Sequence, residues 1–305
     1  MDTTRLGASD LVVSRVGLGC NNFGRRLDLE RSRAVVLAAI DAGITFLDTA
    51  DIYGNGQSES FIGETLSGLD ADVVVATKFG NDMQGANGDA PRGSREYMRR
   101  AVDASLARLQ RDSIDLLYYH RPDGVTPLEE TLAGMHELVV AGKARWLGLS
   151  NVGVDALDTA ARLAAAGSSP VVAVQNHYSL VNREDDPVVA RAAELGIGYI
   201  PYFPLASGLL TGKYRRGQAP PEGARLTEAD DDRLSDERIA RMEELESFAE
   251  GRGHSILELA IGGLASIPGI ASVIAGATSP EQVRANAAAG SWRLDASELE
   301  QLAAI

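Results

Sequence analysis

The sequence predicts an α/β fold, a (β/α)8 TIM barrel with an N-terminal β-hairpin and an extra C-terminal helix. Three observations predict it. Eight short apolar runs rich in β-branched residues recur along the 305 residues. They are uniformly apolar and not alternating, as strands are when helices cover a parallel sheet. Most are followed by a stretch with helical spacing, and right-handed β-α-β crossovers repeated eight times close a sheet, whereas a doubly wound sheet would use fewer strands.

In chain order, a hairpin is expected over 3–15 with Gly7 at its turn. The barrel strands then fall at 16–20, 44–48, 73–78, 114–120, 145–150, 171–176, 198–202 and 272–276. Between them Met98, Val102, Leu106 and Leu109, and again Leu128, Leu132, Met135 and Val139, recur every three or four positions. Each set lays one apolar stripe along a helix. The uncharged run 259–280 is long enough to cross a bilayer, but Gly262, Gly263, Pro268, Gly269 and Gly276 interrupt it, so it reads as buried helix, turn and strand. A helix over 297–305 ends the chain. No linker, low-complexity tract or charge block divides the sequence, and 1–305 reads as one domain. Two connections, 80–93 and 203–234, are long, and long loops in compact domains are usually functional.

Composition narrows the function. Lys and Arg number 29 against 43 Asp and Glu, a net charge of −14. An acidic surface repels a phosphate backbone and an anionic membrane alike, so neither is an expected partner. With 45% hydrophobic residues the chain has ample core for a globular fold. Cys20 is the only cysteine, which rules out a disulfide within the chain and suits a reducing compartment. The first ten residues carry Asp2, Arg5 and Asp10 without an apolar stretch, so no secretory signal is read and the cytoplasm is the expected location. His120, His136, His177 and His254 lack ligand spacing and no metal site is expected. His177, at a strand end, is assigned a packing role.

In such a barrel the active site lies at the carboxyl ends of the strands. The second strand closes in Asp48 and runs on to Tyr53, the third ends in Lys78 and the fourth in His120. Each residue alone has a structural explanation: Asp48 as a loop cap, Tyr53 in packing, Lys78 in a structural pair, His120 as a rim histidine. A structural network has no reason to occupy only strand ends, so the set reads as catalytic. A phenol with a pKa near 10 donates its proton poorly at pH 7 unless a cation stabilises its anion. Lys78 supplies that cation, Asp48 keeps the lysine charged, and His120 polarises a carbonyl oxygen beside Tyr53. The constellation protonates an oxygen while another agent attacks the carbon. No side chain donates hydride, so a cofactor is implied.

Two further segments suit that cofactor. After the eighth strand, Ser279-Pro280-Glu281-Gln282 reads as a capping box with proline at the first helical position, and the free N–H groups of a helix start attract phosphate. In the long loop, Thr211-Gly212-Lys213-Tyr214-Arg215-Arg216-Gly217 places three cations within seven residues, a cluster suited to a pyrophosphate.

These residues resemble the aldo-keto reductase superfamily over nearly the whole chain. Asp48-Thr49-Ala50-Asp51-Ile52-Tyr53-Gly54 is similar to that family's Asp-Thr-Ala-x-x-Tyr-Gly signature, Thr77-Lys78 to its strand-three lysine, and Tyr119-His120-Arg121-Pro122-Asp123 to its strand-four histidine. The resemblance implies a catalytic tetrad of Asp48, Tyr53, Lys78 and His120 with Tyr53 as general acid. It implies that Ser150, Asn151 and Gln175 hold the nicotinamide carboxamide and that the ring stacks on Tyr202. The stretch from Pro204 and Leu205 through Ser207 and Gly208 to Lys213 resembles the pyrophosphate-covering loop of bacterial members and of the potassium-channel beta subunits. Many members place a lysine and an arginine around the adenosine 2′-phosphate and a glutamate nearby. Here Gly276, Gln282 and Ala285 stand in those places, which leaves NAD(H) as the alternative nucleotide. The branch with this pattern binds NADP(H) through residues matching Thr278, Gln282 and Asn286, with Arg225 as a further contact.

The implied activity is reversible hydride transfer between NADP(H) and a small-molecule aldehyde or ketone. A redox-sensing, nucleotide-binding interaction protein with slow turnover is the alternative implied by the channel-subunit branch. A Schiff-base role for Lys78 is disfavoured, since Asp48 would hold the amine protonated. Substrate choice is expected to lie in the loops 21–27 and 80–93 and the C-terminal end.

Overall fold

Eight strands, each on one of the apolar runs, pair in sequence order and close on themselves. The computed structural model describes residues 1–222, 226–227 and 233–305. An antiparallel hairpin, β1 (Thr3–Arg5) and β2 (Val12–Ser14), comes first. The barrel consists of β3 (Val16–Gly19), β4 (Phe46–Asp48), β5 (Val74–Phe79), β6 (Ile114–Tyr119), β7 (Ala144–Ser150), β8 (Val171–His177), β9 (Gly198–Tyr202) and β10 (Val273–Gly276). All neighbours are parallel, and β10 closes the ring against β3 and β9.

The outer ring comprises α1 (Leu29–Asp41), α2 (Gln57–Leu66), α3 (Arg95–Leu109), α4 (Leu128–Val140), α5 (Val154–Ala165) and α6 (Asp186–Glu194). It continues with α7 (Asp236–Glu250), α8 (Ile256–Glu258) extended by a π-helical turn (Leu259–Gly263), α9 (Pro280–Ala289) and α10 (Ala296–Ala304). Asp28, Ser94 and Ser235 start α1, α3 and α7 by accepting a backbone N–H of the first turn, the usual role of short polar side chains there. The expected stripes are the inner faces: Met98, Val102 and Leu109 of α3 and Leu132 and Met135 of α4 are buried. The run 259–280 becomes the π turn, a loop and β10. No helix among the described residues is long and apolar enough to cross a membrane.

Inside the barrel, Phe46, Leu116, Tyr118, Val172 and Ile200 form one buried cluster, joined by Leu6, Leu11 and Val13 of the hairpin. The hairpin therefore plugs the end where β8 and β9 begin. Gly7 makes the plug fit: its φ is +55°, and a Cβ there would lie 2.4 Å from the Val172 carbonyl oxygen. Gly148 does the same for Tyr118, whose ring a Cβ would meet at 2.4 Å. With one end filled, the open end is the carboxyl rim. There the ladder sets Gly19 opposite Asp48 and Gly276, and Ser150 opposite Gln175.

Candidate active site

Asp48, Tyr53 and His120 line a cavity of about 660 Å³ at that rim, with Lys78 fully buried beside Asp48. Asp48 and Lys78 point inward from adjacent strands, and Lys78 Nζ lies 2.6 Å from Asp48 Oδ2. The ammonium also donates to the Thr49 carbonyl at 2.8 Å, and the second carboxylate oxygen accepts from Gln175 Nε2 at 2.8 Å. Tyr53 enters from a tight turn after β4 in which Gly54 has a φ of +58° and sits so close to the chain at Phe23 that a Cβ would fall 2.7 Å from its carbonyl oxygen. The Lys78 ammonium is 5.2 Å from the centre of the Tyr53 ring, and the His120 ring meets Tyr53 edge-on at 6.0 Å.

Burial strips water from the Lys78 ammonium, but Asp48, then Tyr53, outweigh that cost and hold its pKa above the ordinary value, so it stays charged. Burial pushes the Tyr53 phenol up, with Lys78 pulling it back down. Desolvation is the larger effect, where the sequence alone predicts that the cation's pull dominates. His120 is held well below the usual histidine range by burial and by the charges of Lys78 and Arg121, so its imidazole is neutral. Asn81 Nδ2 lies 2.6 Å from His120 Nδ1. An amide nitrogen only donates, so Nδ1 accepts and Nε2 carries the proton.

The proposed nucleotide residues fall along the rest of the cavity. Asn151, Gln175 and Tyr202 line it next to the tetrad, and Asn151 bridges them by donating to the His120 carbonyl at 2.9 Å and accepting from the Tyr202 hydroxyl at 2.7 Å. Ser150 stands one layer behind: its hydroxyl donates to the Gln175 carbonyl at 2.6 Å and accepts from Asn151. His177 stacks on Tyr202 at 5.6 Å and packs outside the cavity. Pro204, Leu205, Ser207, Gly208 and Lys213 form one wall, with a 3-10 turn (Ala206–Thr211) in the long connection. Gly276, Thr278, Gln282 and Asn286 form another part of the wall. Arg225 lies outside the described residues.

Two sequence expectations change. Ser279 caps α9 as expected, but Gln282 does not complete a capping box: its side-chain oxygen reaches past Ser279 to accept from the Thr278 N–H at 2.8 Å and hydroxyl at 3.1 Å. The three-cation cluster is divided, because Arg215 and Arg216 turn to Glu246 and Glu243 of α7 and only Lys213 faces the cavity. Arg25, Arg26, Asn81 and Phe203 lie in the loops 21–27, 80–93 and 203–234 that the sequence marks as functional without singling out these residues, whereas Arg121, directly after His120, was not anticipated.

This donor set fits a dinucleotide. Amide groups and an aromatic face line the cavity with Asp48, Tyr53 and His120, and the same cavity takes in a cation, Lys213, and the start of α9, the groups that a nicotinamide and its phosphates require. Among the described residues no group of three or more His, Cys, Asp or Glu side chains could hold a metal ion.

The family model for the aldo/keto reductase family matches residues 15–305. The chain is 35% identical to a probable voltage-gated potassium channel subunit beta of Oryza sativa, covering 94% of this chain and 90% of that one. It is 32% identical to the L-glyceraldehyde 3-phosphate reductase of Escherichia coli K12, over 92% and 85% of the two chains. An aldo-keto reductase from Bacillus halodurans, solved in its holo form, superposes with a TM-score of 0.81 at 31% identity, covering 100% of this chain and 96% of its own.

Proposed function

The chain belongs to the aldo/keto reductase family, and from that premise we propose that it is an NADP(H)-dependent oxidoreductase of aldehydes and ketones, with Tyr53 as proton donor. Such proteins are carbonyl oxidoreductases, and the observation that carries the finer reading is the meeting of Asp48, Tyr53, Lys78 and His120 at one rim. Bound nicotinamide nucleotide supplies or accepts the hydride. Everything else falls to the chain. His120, neutral and protonated on Nε2, donates to the carbonyl oxygen and holds it beside the Tyr53 hydroxyl. Tyr53 passes its proton to that oxygen as charge develops there. Lys78 stabilises the phenolate left behind, and Asp48 with Gln175 fixes the ammonium. Asn151 ties the Tyr202 face to the His120 backbone, so the nucleotide wall and the proton-donating wall keep one spacing. Such a reductase draws on the cell's reduced nucleotide pool, and we assign it to the cytoplasm.

A second reading, a nucleotide-binding partner protein that senses redox state with slow turnover, is favoured by the likeness to the Oryza sativa channel subunit. Turnover of 4-nitrobenzaldehyde, followed as loss of NADPH absorbance, separates the two. A kcat within the ordinary enzyme range of about 1–10³ s⁻¹ supports the reductase, and turnover orders of magnitude slower supports the sensor.

A further inference from the structure

The cavity carries more positive charge than the chemistry above uses. Among the described residues lining it are Arg25, Arg26, Arg121 and Lys213, against one carboxylate, Asp48, which Lys78 already neutralises. The chain as a whole has a net charge of −14, so its average composition would give the opposite sign. Many arginines elsewhere are engaged with carboxylates, as Arg95 is with Glu137, Arg108 with Glu59 and Arg191 with Asp158, while others, such as Arg5 and Arg15, donate to backbone carbonyls. Arg25, Arg26 and Arg121 make no ion pair among the described residues.

The nucleotide accounts for part of this charge. Lys213 belongs to the phosphate wall, and Arg26 lies near enough to help burial depress the Lys213 ammonium. Arg121, unlike Arg26, is not among the charges that act on Lys213. It follows His120 directly past the end of β6 and is exposed. It shares the cavity with Tyr53 and Tyr202, and its charge acts on both His120 and Tyr202. A guanidinium in the same mouth as Tyr53 and His120, exposed and without an ion pair among the described residues, offers a planar fork of N–H donors that matches a carboxylate or phosphate.

We propose that the carbonyl substrate carries an oxyanion group, which Arg121 binds while the carbonyl lies against Tyr53 and His120. The inference rests on the reductase reading. The positive mouth of an otherwise acidic protein also draws such a substrate in from solution.

The test compares three aldehydes of one frame at low salt with saturating NADPH: 4-formylbenzoate, 4-formylphenyl phosphate and the neutral methyl 4-formylbenzoate. The wild type should show kcat/KM at least about tenfold higher for one or both anions than for the ester, and the better anion identifies carboxylate or phosphate as the preferred group. Arg121→Ala should reduce that anion-to-ester ratio at least about tenfold, through KM, and Arg121→Lys should keep part of it. Added salt should shrink the wild-type ratio. If the wild type reduces all three alike, or if Arg121→Ala slows all three by one factor, the inference is overturned while the reductase reading stands. Failure to reduce any of the three, with NADPH or NADH, overturns the reductase reading and the inference with it.

Discussion

Lys78 and Asp48 form an ion pair from which water is excluded: Nζ and Oδ2 are 2.6 Å apart, and the two side chains are 0% and 3% exposed. A buried pair of this kind contributes little net stability, but removing one partner leaves the other charge uncompensated. Lys78→Met should therefore lose most activity and about 3–5 kcal/mol of stability. Adding Asp48→Asn should recover part of that stability and none of the turnover. Denaturant melts of the two single variants and the double variant check this, and additive losses would mean that the two groups act independently.

Tyr53→Phe removes the proposed proton donor and leaves the ring in place. A lost general acid lowers kcat by about 10²- to 10⁴-fold. Nucleotide affinity, measured by fluorescence titration, should stay within a few-fold, because the residues proposed to hold the nucleotide do not include Tyr53. Near-normal carbonyl reduction by the variant would assign the proton to another group.

The Asn81 amide sets which ring nitrogen of His120 carries the proton. Asn81→Leu takes away the donor 2.6 Å from Nδ1, so the proton can move between the two ring nitrogens, and kcat should fall by about tenfold with nucleotide binding intact. Asn81→Asp puts an acceptor there, favours a charged ring and should raise the His120 pKa from its depressed value toward neutrality. An inflection near pH 6–7 should then appear in the kcat profile, where the wild type has none. Histidine nitrogen shifts by NMR report the tautomer directly, and an unchanged Nε2–H form in Asn81→Leu would sink the idea.

How much of this was legible depends on where a side chain is anchored. Asp48, Lys78 and His120 sit on or next to strand ends, and strand period alone fixes which end and which face they occupy. Asn81 and Arg121 lie just past those ends, where loop backbone decides the direction of the side chain. Arg215 and Arg216 looked like phosphate ligands until Glu243 and Glu246, about 30 residues away, came within reach through the packing of α7. Strand β4 starts at Phe46 and not at Ile44 because the Ile44 N–H bonds back to Ala39 and the Thr45 N–H is taken by the Ser14 hydroxyl. Such competition between local partners leaves no mark in hydrophobic periodicity.

Asp51 also lies within the signature, yet both its carboxyl oxygens are buried without a hydrogen-bond partner among the described residues. Burial, then the nearby Glu59, pushes its pKa up to about 8. The folded protein thus holds this proton to a higher pH than the unfolded chain, whose carboxyl titrates near 3.9. Its contribution to stability is fully present below about pH 4 and is lost as pH rises toward 8. Asp51→Asn keeps a polar side chain there but cannot ionise, so it should flatten that fall and raise stability at pH 8 relative to its value at pH 5. Melting curves from pH 5 to 8 check it, and parallel curves for the two proteins would show that Asp51 ionises normally.

Nucleotide choice turns on α9. Its N-cap is Ser279, its first residue Pro280 has no N–H to satisfy, and its positive dipole end faces the wall that Thr278, Gln282 and Asn286 build. In that wall the Gln282 side-chain oxygen covers the Thr278 N–H and hydroxyl, which leaves its NH2 group as the outward donor. A 2′-phosphate placed there would meet donors and a helix start, with no carboxylate lining the wall; NADH would present only a hydroxyl. NADPH should then bind at least about tenfold more tightly, a difference of roughly 1.4 kcal/mol. Because the advantage comes from charge at an exposed wall, it should narrow as salt rises and the screening length falls below about 8 Å. Gln282→Ala should weaken NADPH and leave NADH nearly unchanged, since the lost amide faces only the extra phosphate. Fluorescence titrations of both nucleotides at low and high salt decide it, and equal dissociation constants at low salt would make this an NAD-linked enzyme on the same barrel.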